Sequence, residues 1–370
     1  MTSTSLEAPP REHLAALRSS IDAIDDRLLE LLADRSEVVA AIADAKARTG
    51  QRTLDPERER AVLDRVSQKG AGRFGQNAVT AIFREIMSAS VAQQRPLTVA
   101  RLGPSGTWTE LAARTLFGSA PRYLDEATVD AVVDSVARRD ADYGVVPIES
   151  SIEGAVTSTL DALITSECRI RREIVVPVTH SIGSRAGSLA AIERVVSHPQ
   201  ALAQCRAWLR AHVPDAVLVP AGSTAAAAHA VADDPRAAAI AAAHALYAAG
   251  LTVLRSGIED RPAATRFVAV AEEDAPRTGD DRTTIAFRMA DDGSCGALRR
   301  ALSVLEEAGV NMTRIESRPA REEAWRYVFV ADLRGHRADA PLARALDELA
   351  RRSDWLRLLG SYPRDPRSPR

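Results

Sequence analysis

Two cations on the apolar seam of a single helix define the first candidate site. The stripe Leu14, Leu17, Ile21, Ile24, Leu28, Leu31, Val38 and Ile42 advances by steps of three and four residues, and Arg35 stands where another apolar residue should fall. A buried guanidinium is costly unless an anion pairs with it. Lys46 follows three helical turns later on nearly the same face, about 16 Å away between Cα atoms, a gap that long side chains can close. Arg18 precedes Arg35 by about 25 Å along the helix, so both can grip one small molecule only if Arg18 comes from a second, antiparallel copy. The polar inventory is then Arg18 from one subunit with Arg35, Lys46, Asp55, Arg58, Glu59, Ser90 and Gln94 from the other. That set suits a small dicarboxylate bearing a hydroxyl. Taken singly, Arg18, Arg58 and Glu59 fit a solvated helix surface equally well, whereas Arg35, Ser90 and Gln94 occupy stripe positions that solvation does not explain.

A second group of polar residues sits in PIESSIEG, SHPQALAQC and ATRF, each at the end of an apolar run that reads as a strand. Ligands of open α/β sheets bind at such strand ends. His198 and Cys205, seven residues apart, could share a helix face and invite a thiol-nucleophile reading, although a small buried cysteine is the commoner use. Thr265 and Arg266 precede the apolar run Phe267–Val270 and are expected at a sheet edge. GPSGTW is a glycine-containing turn opening a helix, whose free amides could receive an anion. It lacks the lysine of a nucleotide phosphate loop, and no GxGxxG follows a strand, so no nucleotide cofactor is implied.

These groups need positioning elements. Three helices account for residues 1–95: one from Arg11 to about Thr49, one after the Asp55-Pro56 start signal, and one from about Gln76 to Gln94. The first is too long to fold back on so small a domain, which predicts pairing with a second copy. After Arg95-Pro96 short apolar strands alternate with helices, predicting an α/β domain over 96–273. The charged, turn-rich AEEDAPRTGDD forms a boundary. The order βαββαβ then runs through 280–370, a small antiparallel sheet with two helices on one face.

Composition removes several classes. Forty-eight basic against 50 acidic residues leave no global field favouring nucleic acid or an anionic membrane, so anion recognition must be local. Cys168, Cys205 and Cys295 lack metal-ligand spacing and read as reduced thiols, and no metal is implied. The N-terminus has no apolar signal core and no apolar run reaches membrane-spanning length, which predicts a cytoplasmic protein.

The front segments LRSSIDAIDDRLLELLADR, Lys46, DPERE and SVAQQ resemble, in order, the helical chorismate mutase domain of bacterial bifunctional P-proteins. The resemblance implies that Arg18 and Arg35 hold the two carboxylates of chorismate, that Lys46 and Gln94 donate to its ether oxygen, and that Glu59 receives the ring hydroxyl. GPSGTWTELAA, YGVVPIESSIEGAVTSTLDAL, SHPQALAQC and TRF are similar to the prephenate dehydratase family. That implies two α/β lobes around a cleft, akin to periplasmic binding proteins, with Thr265 as the proton donor. Thr107, Ser150, Ser151, Ser197, Gln204, Arg266 and Phe267 would line and position prephenate. Two departures stand out: Ser150 where the family commonly has asparagine, and Ala263-Ala264 in a segment one residue short before TRF. They leave prephenate and its aminated relative arogenate both open as substrates. The last domain resembles an ACT domain of ferredoxin-like βαββαβ fold, in which Gly296, Ala297, Leu298 and Glu316, Ser317, Arg318, Pro319 would bind L-phenylalanine at a subunit interface. The expectation is a bifunctional, phenylalanine-inhibited enzyme without a cofactor, acting as a homodimer or higher oligomer. The alternative from another class is a two-lobed sensor of an aromatic metabolite that binds without turnover.

Overall fold

The computed structural model describes residues 10–49, 56–70, 72–290, 294–320 and 326–368. Asp55 lies outside them. Helices α1 (Pro10–Thr49), α2 (Pro56–Lys69) and α3 (Gln76–Gln94) form the N-terminal unit. Within the chain, α1 buries almost none of its stripe: Leu17, Ile21, Leu28, Leu31 and Val38 are each 49–62% exposed. Packing concentrates instead between α2 and α3.

The middle region has two lobes. In the first, β1 (Thr98–Leu102), β2 (Arg122–Glu126), β3 (Tyr143–Ser150), β4 (Gly154–Ala155), β5 (Arg169–Val178) and, much later in the chain, β11 (Ala263–Ala271) form a sheet ordered β2-β1-β3-β11-β5, with β4 on β3. Helices α4 (Trp108–Phe117), α5 (Val129–Ala137) and α6 (Thr157–Thr165) connect these strands. The second lobe is the sheet β10-β6-β9-β7-β8, built from β6 (Ser181–Ser184), β7 (Arg194–Ser197), β8 (Val217–Pro220), β9 (Ala237–Ala241) and β10 (Thr252–Ser256). Its helices are α7 (Pro199–Gln204), α8 (Arg206–His212), α9 (Thr224–Ala230) and α10 (Ala243–Ala248). The alanine-rich stretch resolves as expected into helices around one strand; β9 is wholly buried despite its small side chains. The chain passes between lobes twice, at 179–180 and at 257–262. The last region is the antiparallel sheet β13-β14-β12-β15, from β12 (Asp281–Met289), β13 (Met312–Pro319), β14 (Tyr327–Arg334) and β15 (Ser353–Pro363), with α11 (Ala297–Glu307) and α12 (Ala340–Arg352).

Strand alternation divides this last sheet between two cores. Ile285, Phe287, Ala331 and Leu333 pack under α11 and α12, whereas Ala286, Val330, Leu359 and Tyr362 join the core formed by α5, α6, Val268 and Val270 of the first lobe. At the seam a Cβ on Gly360 would lie 2.3 Å from the carbonyl oxygen of Ile170, so only glycine lets β15 approach β5 this closely.

Three cations and three carboxylates fasten the seam. Arg266 donates to Glu149 (3.0 Å), Glu173 (3.1 Å) and Asp332 (2.6 Å); Arg282 also reaches Glu173 (3.1 Å), and Arg314 lies 3.5 Å from Asp332. Thr284 donates to the other oxygen of Asp332 at 2.7 Å. Burial alone would raise the Asp332 pKa, but Arg266, Arg314 and Arg282 together hold it well below the ordinary carboxylate range. The expectation that Arg266 sits at a sheet edge facing the ligand is overturned. β11 is an interior strand between β3 and β5, and residue 266 points to the face opposite Thr265 and Phe267.

Replacing Asp332 with asparagine leaves the buried Arg266 undercompensated, and we expect a loss of about 3–5 kcal/mol of stability. Urea unfolding of the two proteins side by side checks this; equal midpoints at equal slopes would exclude a structural role for the cluster.

Candidate active sites

In the helical unit, Arg35 of α1 reaches α3 and donates to the hydroxyl of Ser90, which in turn donates to the Ile86 carbonyl at 2.6 Å. Burial lowers the Arg35 pKa from its ordinary value. One turn on, Gln94 donates to the Ser90 carbonyl at 3.2 Å, while its Oε1 is buried without a hydrogen-bond partner. Arg35, Ser90 and Gln94 thus meet as their stripe positions imply. Arg18 lies seventeen residues up the same straight helix and cannot join them within one chain. Arg58 is exposed at the first turn of α2, and Lys46 lies in the last turn of α1.

Glu59 departs from expectation. Its carboxylate is 2.7 Å from Nη2 of Arg172 on β5, so in this structure it is engaged by the middle region. The contact belongs to a wider junction. Ser88 donates to the Phe117 carbonyl at 2.6 Å, Glu85 accepts from the Ser119 amide at 3.0 Å, and Arg60 donates to the Arg364 carbonyl at 2.6 Å. A Cβ on Gly118, whose φ is +73°, would fall 2.4 Å from Cβ of Ser88, which makes that turn a glycine position twice over.

The second site is a cleft of about 630 Å³ between the two lobes. Thr265 on β11 and Ser150 on β3 are directly paired in register on its wall, and Phe267 lies two residues along the same face. Ser150 Oγ accepts from the amides of Ile152 and Glu153 at 3.3 and 3.4 Å, closing the turn into β4. Thr107 caps α4, accepting from the Glu110 amide at 3.2 Å. The first residues of α4, α6, α7 and α9 all line the cleft, and none of the described lining residues is Lys or Arg. Here a negative ligand would meet amide dipoles rather than side-chain cations.

The opposite wall carries His198, Gln200 and Gln204. Gln204 Oε1 is 3.0 Å from Nε2 of His180, a residue outside every motif quoted above, and the His180 ring meets the indole of Trp108, the last residue of GPSGTW, edge-on at 6.4 Å. Position alone could have flagged His180: it ends a long apolar strand, where this type of sheet binds ligands.

Two further candidates do not line the cleft. Ser197 is fully buried, its hydroxyl spent on the Ile240 carbonyl at 2.6 Å, because inward alternation in β7 points it into the lobe core. Ser151 bonds the backbone of Ala264 in both directions at 2.9 Å, joining the loop after β3 to β11. Both were expected to position substrate directly, whereas their hydroxyls are engaged by backbone outside the cleft lining. The thiol-nucleophile reading also fails. Cys205 is 0% exposed, its pKa pushed up to about 12 by burial, and His198 is spent as the cap of α7.

In the last region Gly296 adopts φ +80° as the cap of α11, with Cys295 exposed beside it. Glu316 and Arg318 are half-buried on edge strand β13, and Ser317 and Pro319 are exposed. Nη2 of Arg318 donates to both carboxylate oxygens of Asp161 on α6, at 3.0 and 3.2 Å.

Three families of known proteins match successive stretches of the chain. Residues 17–95 match the chorismate mutase type II family, 99–275 the prephenate dehydratase family and 295–351 the ACT domain. The bifunctional chorismate mutase/prephenate dehydratase of Aquifex aeolicus is 39% identical over 95% of this chain and 98% of its own length. Its counterpart in Pseudomonas aeruginosa is 38% identical over 96% and 98%. The structure of prephenate dehydratase from Arthrobacter aurescens in complex with L-Phe is 41% identical, covering 74% of this chain and 92% of that one at a TM-score of 0.68.

The three thiols offer a direct check on placement. A polar alkylating reagent should modify native Cys295 and leave Cys168 and Cys205 unmodified until denaturant is added; mass spectrometry of each cysteine peptide reads the outcome.

Proposed function

The chain belongs to the bifunctional chorismate mutase/prephenate dehydratase family, and we propose that its residues divide two consecutive reactions between the helical unit, residues 1–95, and the cleft unit, residues 96–273. The protein rearranges chorismate to prephenate and then converts prephenate to phenylpyruvate, under inhibition by phenylalanine through the ACT region, 280–370.

The mutase step breaks a carbon–oxygen bond as a carbon–carbon bond forms, with no proton to move, so the residues act by holding a reactive conformer and stabilising charge on the ether oxygen. We assign the substrate carboxylates to Arg35 and to Arg18 of a second copy, and the ether oxygen to Lys46 and Gln94. Ser90 fixes Arg35, and we assign Arg58 to the same substrate, together with Asp55, which lies outside the described residues. The observation that carries this reading is the half-buried Arg35–Ser90 contact beside the unpartnered Oε1 of Gln94. The exposed stripe of α1 supports an antiparallel homodimer, since a second copy would cover it and supply Arg18. Glu59 receives the ring hydroxyl only if its contact with Arg172 yields or is shared.

In the dehydratase step the bond to the ring carboxylate breaks and releases carbon dioxide, its electron pair aromatises the ring, and the ring hydroxyl leaves and takes up a proton to become water. Thr265 is the donor we assign to that hydroxyl, facing Ser150 across the sheet. The opening turns of α4 and α6, with Thr107, offer amides to the carboxylates. Phe267 supplies apolar wall, and Gln204 a polar contact from the opposite lobe. Closure around the ligand would strip water from the departing carboxylate.

For regulation, we assign phenylalanine to Gly296–Leu298 and Glu316–Pro319. Arg318 ties the second segment to α6, whose first turn lines the cleft, which supports a short mechanical route between effector and substrate. The unspaced thiols and the metabolic substrates fit a cytoplasmic protein.

Changing Arg35 to alanine should lower prephenate formation from chorismate by about a hundredfold or more while leaving turnover of added prephenate unchanged. Thr265→Val should do the reverse, lowering phenylpyruvate formation by about 10²–10⁴-fold with the mutase intact. A coupled time course quantifying both products separates the two. A sensor without turnover predicts no loss of chorismate at all.

A further inference from the structure

We propose that His180 is a positioning residue of the dehydratase cleft, orienting the carboxamide of Gln204 so that its NH₂ group, rather than its oxygen, faces an anionic substrate. This rests on the assignment of Gln204 to substrate made above. His180 stands where the chain first crosses between lobes, after β5 and before β6. Its carbonyl accepts from the amides of Gly257 and Ile258, at 3.0 and 3.2 Å, on the returning crossover. Its own amide donates to Glu259 at 2.9 Å. The backbone is therefore clamped at the hinge, and the ring position follows.

His180 is 3% exposed and stands between the lobes, its ring in a T-shaped contact with Trp108 of the first and Nε2 at 3.0 Å from Gln204 of the second. The Gln204 segment is held at its own main chain too, its carbonyl accepting from the Asp260 amide at 2.7 Å, while Asp260 accepts from the amides of Ala207 and Trp208. Only the side-chain amide is left to be set.

A carboxamide can face a histidine nitrogen with either end, and the choice decides what the cleft sees. With Nε2–H donating to Oε1, the amide Nε2 of Gln204 is the group presented to a ligand. Turned over, it would present a carbonyl oxygen to a dicarboxylate, in a cleft whose described lining holds no Lys or Arg to offset the repulsion. Burial lowers the His180 pKa, which favours a neutral ring. A neutral ring donating from Nε2 has a bare Nδ1, and that atom is indeed buried without a partner, as is the indole Nε1 of Trp108. The Nε2 of His244, whose ring also meets the Trp108 indole edge-on, is likewise buried without a partner, so each of the three rings keeps a polar atom that a ligand or ordered water can satisfy.

The test uses the full chain with prephenate as substrate and its own mutase reaction as the control for folding. His180→Leu should raise the KM for prephenate about tenfold or more with chorismate rearrangement unchanged. His180→Gln, which can return a nitrogen donor to the position of Nε2, should restore most of the loss, and His180→Leu/Gln204→Leu should be no worse than Gln204→Leu alone. If Gln204→Leu has no effect, the assignment of Gln204 to substrate is what fails. If it has an effect while His180→Leu has none, or if the two losses simply add, His180 does not act through Gln204 and the proposal is overturned. Histidine ¹³Cδ2 shifts, assigned by difference against the His180→Gln protein, give a readout independent of activity: the Nδ1–H tautomer at His180 would also overturn it.

Discussion

The buried charge cluster centred on Arg266 is the constraint on which the rest of the arrangement depends. Arg266, Arg282 and Arg314 face Glu149, Glu173 and Asp332 in the space between the first-lobe sheet and the ACT sheet. Such a cluster is weak evidence for stability, because desolvating six charges consumes most of what their attraction returns. Its effect is on geometry. Each carboxylate is engaged by more than one group, so sliding one sheet against the other would strand a charge in the dry interior. The apolar contacts around Ala286, Val330 and Tyr362 would tolerate such a slide far better. The cluster also draws in the C-terminal tail, where Asp365 donates its amide to Glu173 at 2.9 Å and accepts from the Val175 amide at 3.0 Å.

Because Glu149 immediately precedes Ser150, and Arg266 immediately follows Thr265, the same two strands present charge to the ACT sheet on one face and hydroxyls to the cleft on the other. The ACT sheet and the cleft are then separated by the thickness of one sheet. The contact of Arg318 with Asp161 provides a second tie, from the edge strand to a helix that begins at the cleft.

The two candidate sites treat negative ligands differently. The helical unit places Arg35 on a seam, where a cation is rigid and partly desolvated. The cleft is lined by helix starts and hydroxyls, with no Lys or Arg among its described lining residues, so no side-chain cation faces a carboxylate placed there. Between the two, the contact of Glu59 with Arg172 joins the units at the cost of committing a carboxylate expected to serve chorismate.

The sequence by itself determined the element order, because hydrophobic periodicity and start signals are local: α2 begins at Pro56 and α3 spans Gln76–Gln94 as the pattern implies, and the βαββαβ order is observed throughout. It also determined the seam position of Arg35, Ser90 and Gln94, since helical spacing alone aligns them. Motif membership, by contrast, does not specify which way a side chain points. Arg266, Ser197 and Ser151 lie within motifs that border the cleft, yet strand alternation and loop closure turn them to the ACT sheet, the lobe core and the β11 backbone. Glu59 is similar: its partner is 113 residues away, and no local pattern predicts a contact between domains. His180 carries no motif of its own, and Trp108 enters the sequence reading only as the end of GPSGTW; the two meet because two crossovers and a helix start converge there. Tertiary packing decided these because each depends on which strand lies beside which, a property of the whole chain that no short window of residues contains.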